Sequence, residues 1–300
     1  MTRAWRLLPT LSTEGAAHMA LDQALLESAC EEGFPPTLRF MRWEPPALSL
    51  GRFQDLEEID LEACRSRGIE VVRRPTGGRG ILHLDDFTYS IVLPAAMRLS
   101  GNVAEAYAYI CRGIVAALSL LGIEAAVHQG SGDRYAEAGG ACFTASTQAD
   151  LKHAGRKICG SAQLWRGRAV LQHGSLLLED RSAALFALLR FVDEEERSAS
   201  LAAYRAGCVT LREAGWEGSW EDVASSFRRG FEESFRVPLR EGGLTSREER
   251  RWRELVAAYR SRAWLENRRR QRLPGERPRH GHGKSVKMKR DDHAQEEEGE

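Results

Sequence analysis

"KICGSAQLWRGRAVLQHGSLLL", residues 157–178, reads as two strands folded back on each other at Arg166–Gly167. The pattern changes on either side of this hairpin. Upstream, "TLRFMRW" and "ALSLG" are strands split by Pro45–Pro46, and "LEACRSRG" is a short helix before the strand "IEVVRR". "PTGGRG" is a turn, with "ILHL" and "FTYSIVLP" as strands on its far side. A helix over roughly 16–31 carries Ala17, Leu21, Ala24, Leu25 and Ser28 on one face, and Gly33 with Pro35–Pro36 ends it. Val103, Tyr107, Ile110, Ile114, Ala117, Leu118 and Leu121 give a 3.6-residue period that Ser100 to Asn102 can cap, and "GIEAAVH" leaves that helix as a strand. Downstream the pattern is helical, over 182–196, 221–235 and 246–260, the last with a Ser246–Glu249 capping box. Strands first and helices afterwards predict an α+β fold.

Three hundred residues suffice for one large domain or two modest ones. Lys plus Arg equals Asp plus Glu, 43 each, so the overall charge argues for neither nucleic acid nor an anionic membrane as a partner. No apolar run approaches the roughly 18 residues of a membrane span. The start, "MTRAWRLLPTLSTEG", lacks signal-peptide organisation, which predicts a cytoplasmic chain. Cysteines 30, 64, 111, 142, 159 and 208 never form a CxxC pair. They read as free thiols, with no disulfide framework and no metal site. Residues 268–290 hold ten basic residues against one acidic, and "DDHAQEEEGE" follows. Such a composition cannot bury enough to offset its ordering entropy, so 1–265 reads as the folded domain and 266–300 as a charged, disordered tail. A nucleic-acid-binding tail is the sharper alternative.

Two segments carry candidate chemistry. In "RRPTGGRGILHLDDFTYS", residues 73–90, paired glycines allow close backbone approach to a ligand, and Arg73, Arg74 and Arg79 can bind a carboxylate or phosphate. A tight turn with exposed arginines is the plain alternative. The stretch has neither the Gly-Lys-Ser/Thr of a Walker loop nor dinucleotide glycine spacing. His83 and His173 have no acidic residue tied to them by spacing, so no triad is argued. The second segment is the glycine-rich connection 129–146 with "GGACFTAS" and, fifteen residues past Cys142, Lys157. A nearby ammonium favours the thiolate of a cysteine. The alternative is a loop thiol and a strand-edge lysine that never meet.

"RRPTGGRGILH", "ACF", "GRKICGSAQ" and "LQHGSLLL", in this order, resemble the lipoate/octanoate transferase family, which shares its catalytic fold with biotin protein ligases. "HMALDQALLE", "LRFMRWEPPALSLGRFQD" and "FTYS" agree, and the resemblance spans roughly residues 4–265. It implies a mixed, largely antiparallel sheet covered by helices. A cysteine fifteen residues ahead of the "GRK" lysine resembles the octanoyltransferase branch, in place of the ligases that activate their acid with ATP.

The resemblance therefore implies that octanoate passes from acyl carrier protein to a lysine of a lipoyl-domain protein, such as the glycine cleavage H protein. Cys142 would be the acyl-thioester nucleophile. Lys157 would lower its pKa and orient the acyl carbonyl. Arg73, Gly77, Gly78, His83, Gly160 and Ser161 would bind the acyl group, with no cofactor. Acyl carrier protein is acidic as a class and would meet a basic patch drawn from Arg73, Arg79 and Arg156. Gly80 in the loop, Cys159 in the strand and the charged tail depart from the family pattern. An ATP-dependent lipoate ligase, an amidotransferase between lipoyl-domain proteins and a non-catalytic binder of these partners are the alternatives.

Overall fold

The structure is a computed structural model that describes residues 4–97, 99, 102–127, 150–266 and 272–274. The first half holds β1 (Trp5–Leu7), β2 (Leu11–Thr13), α1 (Gly15–Ser28), β3 (Thr37–Trp43), β4 (Ala47–Leu50) and α2 (Leu61–Ser66). Then come β5 (Glu70–Arg73), β6 (Ile81–His83), β7 (Asp86–Leu93), α3 (Val103–Leu120) and β8 (Ala126–Val127). The second half holds β9 (Leu151–His153), β10 (Arg156–Arg166), β11 (Ala169–Leu177), α4 (Ser182–Phe186) and α5 (Glu194–Gly207). α6 (Trp220–Phe235), β12 (Leu239–Glu241), α7 (Ser246–Tyr259) and α8 (Arg262–Leu265) complete it.

The main sheet runs β12-β1-β3-β7-β11-β10-β9-β8, with β2 alongside β3. Pairing is antiparallel from β3 through to β8, and parallel where β1 meets β12 and β3 and where β2 meets β3. A smaller sheet, β5-β4-β6, stands beside it. The expected mixed, largely antiparallel α+β architecture is the one observed, and β10–β11 is the hairpin read at 157–178.

Alternation along β7 assigns its two faces. Phe87, Tyr89 and Ile91 pack with Phe227 and Phe231 of α6 and Ile110 and Ile114 of α3. The opposite face carries Val92, which packs with Leu171 and with Leu21 and Leu25 of α1. Helix α7 covers α1, and the Trp252 indole N–H donates to the Ala17 carbonyl. α3 is long and apolar enough to cross a membrane by length and composition, which qualifies the sequence reading. In the fold it is a core helix whose Ile110, Ile114 and Leu118 are fully buried. Val103, counted in its apolar period, is exposed.

Three boundaries differ from the sequence reading. The helix expected over 182–196 splits into α4 and α5. Leu188 and Leu189 are drawn into a buried cluster with Ile59, and the Asp193 side chain accepts from the Glu196 N–H to start a new helix. The capping box of α7 is Thr245–Glu248, one residue earlier than expected, with each side chain bonded to the other's backbone N–H. Packing also passes residue 265. Leu273 is buried, and the Gln23 amide donates to the Pro274 carbonyl at 2.8 Å. The rest of the expected tail lies outside the described residues.

One close approach fixes the region that matters most. A Cβ on Gly51, after β4, would stand 1.7 Å from the Gly78 carbonyl oxygen. The backbone fixes the Cβ position and the oxygen is itself backbone, so no rotamer change relieves the clash. Gly51→Ala is expected to cost about 1–3 kcal/mol of strain, read as a loss of several degrees in melting temperature. A wild-type melting temperature would mean that the two loops do not meet.

Candidate active site

A cavity of about 560 Å³ opens where the glycine loop, the β10–β11 hairpin and the first turn of α3 meet. Its size is that of a small-molecule site. Met19, Met41, Trp43 and Ile81 supply apolar wall, while Lys157, Asp150 and Tyr107 supply polar wall. Among the residues expected to carry function, Gly77, Gly78, His83, Lys157, Gly160 and Ser161 all line it. Gly160 pairs with Ser175 and Ser161 with Gly174 across the hairpin. Gly174 keeps that surface low, because a Cβ there would come within 2.5 Å of the Ser161 hydroxyl. Cys142 lies outside the described residues.

Arg73 is a correction. Its side chain is fully buried, and the guanidinium donates to the carbonyls of Gly51 (2.8 Å), Gln54 (2.7 Å) and Leu265 (2.8 Å). It ties the chain after β4 to α8 and lines no part of the cavity. Arg73 therefore contributes nothing to the expected basic patch of Arg73, Arg79 and Arg156, whereas Arg79 lines the cavity. Arg79 is paired with Glu58 at 3.0 Å, and Arg156 lies 3.7 Å from Glu213. The loop's structural arginine is Arg74, which donates to the carbonyls of Ser49, Gly77 and Arg79, each at 2.8 Å.

Both histidines have carboxylate partners that sequence spacing did not disclose. His83 stacks flat on Trp43, ring centroids 3.7 Å apart. Its Nδ1 meets Asp86 at 2.8 Å and its Nε2 meets the Ser49 hydroxyl at 2.8 Å. Burial opposes ionisation of Asp86. The His83 ring, together with hydroxyl donors on Ser175 and Thr88, outweighs it and holds the carboxyl below the usual range.

His173 sits between Asp22 on Nδ1 at 2.9 Å and the Thr76 hydroxyl on Nε2 at 2.6 Å. Burial lowers the His173 pKa despite that carboxylate, so the ring is neutral, Nδ1–H donates to Asp22 and Nε2 accepts from Thr76. Asp22 also accepts from Arg39 (2.8 Å) and Ser90 (2.7 Å). The glycine loop thus hangs, through Thr76 and His173, from a carboxylate on α1. Asp86 was legible in principle as the acid three residues past His83. Asp22 showed only as one of two acidic residues on α1, with nothing to mark its partners.

Lys157 is 4% exposed, and its ammonium lies 3.0 Å from the carboxylate of Asp150, itself 1% exposed. Sequence reasoning missed Asp150, the first described residue after Val127. Among the described residues no cysteine lines the cavity. The thiols of Cys64 and Cys208 are pushed by burial up to about 11 and about 12, respectively, which leaves them unreactive.

The sequence profile of the lipoyl protein ligase A/B catalytic domain matches residues 14–232. The chain belongs to this family. Among curated relatives of this lipoyl protein ligase A/B domain, octanoyltransferase LipM of Symbiobacterium thermophilum is 42% identical over 264 residues, covering 86% of this chain and 96% of that protein. LipM of Moorella thermoacetica is 39% identical over 268 residues, covering 88% and 98%. Among solved structures, the bipartite lipoate protein ligase of Thermoplasma acidophilum superposes with TM-score 0.75 at 27% identity, covering 90% of this chain and 99% of that one. A lipoate-protein ligase A bound with ATP gives TM-score 0.73 at 26% identity, covering 89% and 100%.

The neutral buried histidines of this lipoyl protein ligase A/B domain set its acid sensitivity. Burial, then the Arg39 charge, lowers the His18 pKa from 6.5 to about 3, and His173 is lowered as well. Below pH 6.5 the unfolded chain takes up protons that the folded chain refuses, so stability falls as pH falls. His18 adds a slope approaching roughly 1 kcal/mol per pH unit, and His173 adds in the same direction. The melting temperature is expected to drop between pH 7 and pH 5, before the carboxylates titrate, and His18→Gln should flatten that slope. A flat profile in the parent protein would show that these rings are charged in the fold.

Proposed function

We propose that this chain transfers an octanoyl group from the thioester of acyl carrier protein to a lysine of a lipoyl-domain protein, through a thioester on Cys142. The acceptor is of the kind of the glycine cleavage H protein. The observation that carries this reading is a buried lysine in the cavity wall, Lys157, in a chain 42% identical to an octanoyltransferase across 86% of its length.

Cys142, as thiolate, attacks the donor carbonyl; a C–S bond forms and the carrier's thiolate departs with its electron pair. The acceptor amine then attacks the acyl-enzyme, a C–N bond forms, and Cys142 leaves as thiolate. The amine's surplus proton returns that sulfur to the thiol. Exchange between thioesters is nearly balanced, and thioester-to-amide transfer runs downhill, so neither ATP nor a metal is required. Lys157 supplies positive charge where the carbonyl oxygen becomes negative.

The apolar wall of Met19, Met41, Trp43 and Ile81 receives the hydrocarbon tail, whose burial is worth roughly 5 kcal/mol at about 0.8 kcal/mol per methylene. The five described cysteines are free thiols, in keeping with a reducing cytoplasm. The test is intact-mass analysis after mixing the chain with octanoyl-acyl carrier protein, without ATP. One covalent octanoyl adduct is expected, discharged on adding the lipoyl-domain acceptor. A chain loaded only when ATP and the free acid are supplied would overturn the proposal in favour of ligase chemistry.

A further inference from the structure

The wall that would receive the acyl tail is not apolar throughout. Register sets one row of its residues side by side across four strands. Met41 on β3 pairs with Thr88 on β7, Thr88 with Ser175 on β11, and Ser175 with Gly160 on β10. All four line the cavity, so two hydroxyls stand in the row between Met41 and Gly160. A third comes from the smaller sheet. Leu48 and Leu82 turn into a separate buried cluster, and by alternation Ser49, Ile81 and His83 face the cavity. Ser49 pairs with Ile81, and His83 lies flat on Trp43, so this hydroxyl too is set among the apolar residues.

The protons of these hydroxyls are committed to one carboxylate. Ser175 and Thr88 donate to Asp86 directly. His83 donates to it through Nδ1, which leaves Nε2 to accept the Ser49 proton at 2.8 Å. The Thr88 oxygen in turn accepts from the Trp43 indole at 3.0 Å, and the Ser49 oxygen has the Arg74 guanidinium 3.4 Å away. The Ser175 oxygen accepts from nothing among the described residues. What Ser175 and Ser49 offer a ligand is therefore oxygen lone pairs. A hydrocarbon tail leaves them unused, and a cation would have to shed its hydration to reach them. The group that complements them is a neutral donor, a hydroxyl. Gly160, opposite Ser175, follows Lys157 by three residues, about 10 Å along β10. An extended eight-carbon chain covers such a span.

We propose that the tail site accepts acyl groups bearing a hydroxyl at the far end of the chain, with Ser175 and Ser49 as the specificity-determining acceptors. This rests on the function proposed above and adds to it a substrate class, ω-hydroxyacyl groups carried as the same thioester. The bonds made and broken in the transfer are unchanged.

Octanamide and 8-hydroxyoctanamide carry the tail and the carbonyl but no leaving thiolate, so calorimetry compares them without calling on Cys142. A hydroxyl buried with no partner would weaken binding by about 10-fold or more. The parent protein is instead expected to bind the two amides within about 5-fold of each other. Ser175→Ala should weaken 8-hydroxyoctanamide relative to octanamide by about 10-fold, and Ser49→Ala by about 3-fold. The ratio is read within each variant, so a general loss of affinity cancels. Ser49→Ala keeps every donor to Asp86 and serves if Ser175→Ala does not fold. With 8-hydroxyoctanoyl-acyl carrier protein, the acceptor should gain an adduct one oxygen heavier than octanoyl. A parent protein that discriminates against the hydroxyl more strongly than this, or a ratio unmoved in both variants, would overturn the inference. Failure of octanamide to bind, or of octanoyl-acyl carrier protein to leave an adduct, would instead overturn the transferase reading.

Discussion

Cys142→Ala is expected to abolish the octanoyl adduct and to lower transfer to the acceptor by about 10³-fold or more. The size of the effect follows from the two-step route. Without the sulfur, the acceptor amine must attack the carrier thioester directly in a ternary complex that the site is not built to align. The substitution removes a single sulfur atom and leaves the described cavity-lining residues unchanged. Binding of octanamide should therefore survive. Intact mass reads the adduct, and gel-shift of the acceptor reads transfer. A Cys142→Ala variant that still carries octanoate covalently would place the nucleophile elsewhere. Undiminished transfer with no adduct at all would mean direct attack.

Lys157→Met should lose both activity and stability. The ammonium and the Asp150 carboxylate are buried together at 3.0 Å. Removing the cation leaves the carboxylate inside without that counter-charge, which typically costs about 3–5 kcal/mol. The companion variant Lys157→Met/Asp150→Asn removes both charges, and most of the lost stability should return. Activity should not return, because no cation then faces the developing oxyanion. Denaturant unfolding measures the first quantity and acylation kinetics the second. If the double variant recovered turnover along with stability, Lys157 would be a purely structural cation. If the single variant unfolded at the wild-type midpoint, the ion pair would contribute nothing to the fold.

Much of this was legible in the residues. The hairpin at 157–178, the long period of α3 and the strand–turn–strand around "PTGGRG" all stand where pattern placed them, because each obeys a local rule. Six of the site positions share one cavity: the motifs sit on β6, on the turn before it and along the first half of β10. What pattern could not supply was partnership across the chain. Asp22 and His173 are 151 positions apart and meet only because β11 and α1 pack together. Arg73 and Arg74 are neighbours with similar chemistry, yet the alternation of β5 and its surroundings send one into the body of the fold and the other to the cavity edge. The helix read over 182–196 stops at Phe186 and restarts at Glu194, where Asp193 caps it, and the capping box of the helix at 246–260 lies one residue earlier than read, because capping side chains and not apolar period choose the first turn.

The Asp22 carboxylate binds together α1 through its own backbone, β3 through Arg39, β7 through Ser90 and β11 through His173, and reaches the glycine loop by way of Thr76. None of these parts can be repositioned alone. An engineer seeking to widen the range of acyl groups should therefore leave this junction intact, with Met41, whose sulfur accepts from Arg39, and remodel the walls it does not hold, Met19 and Ile81. There a change of side-chain volume reshapes the cavity without unfastening the frame.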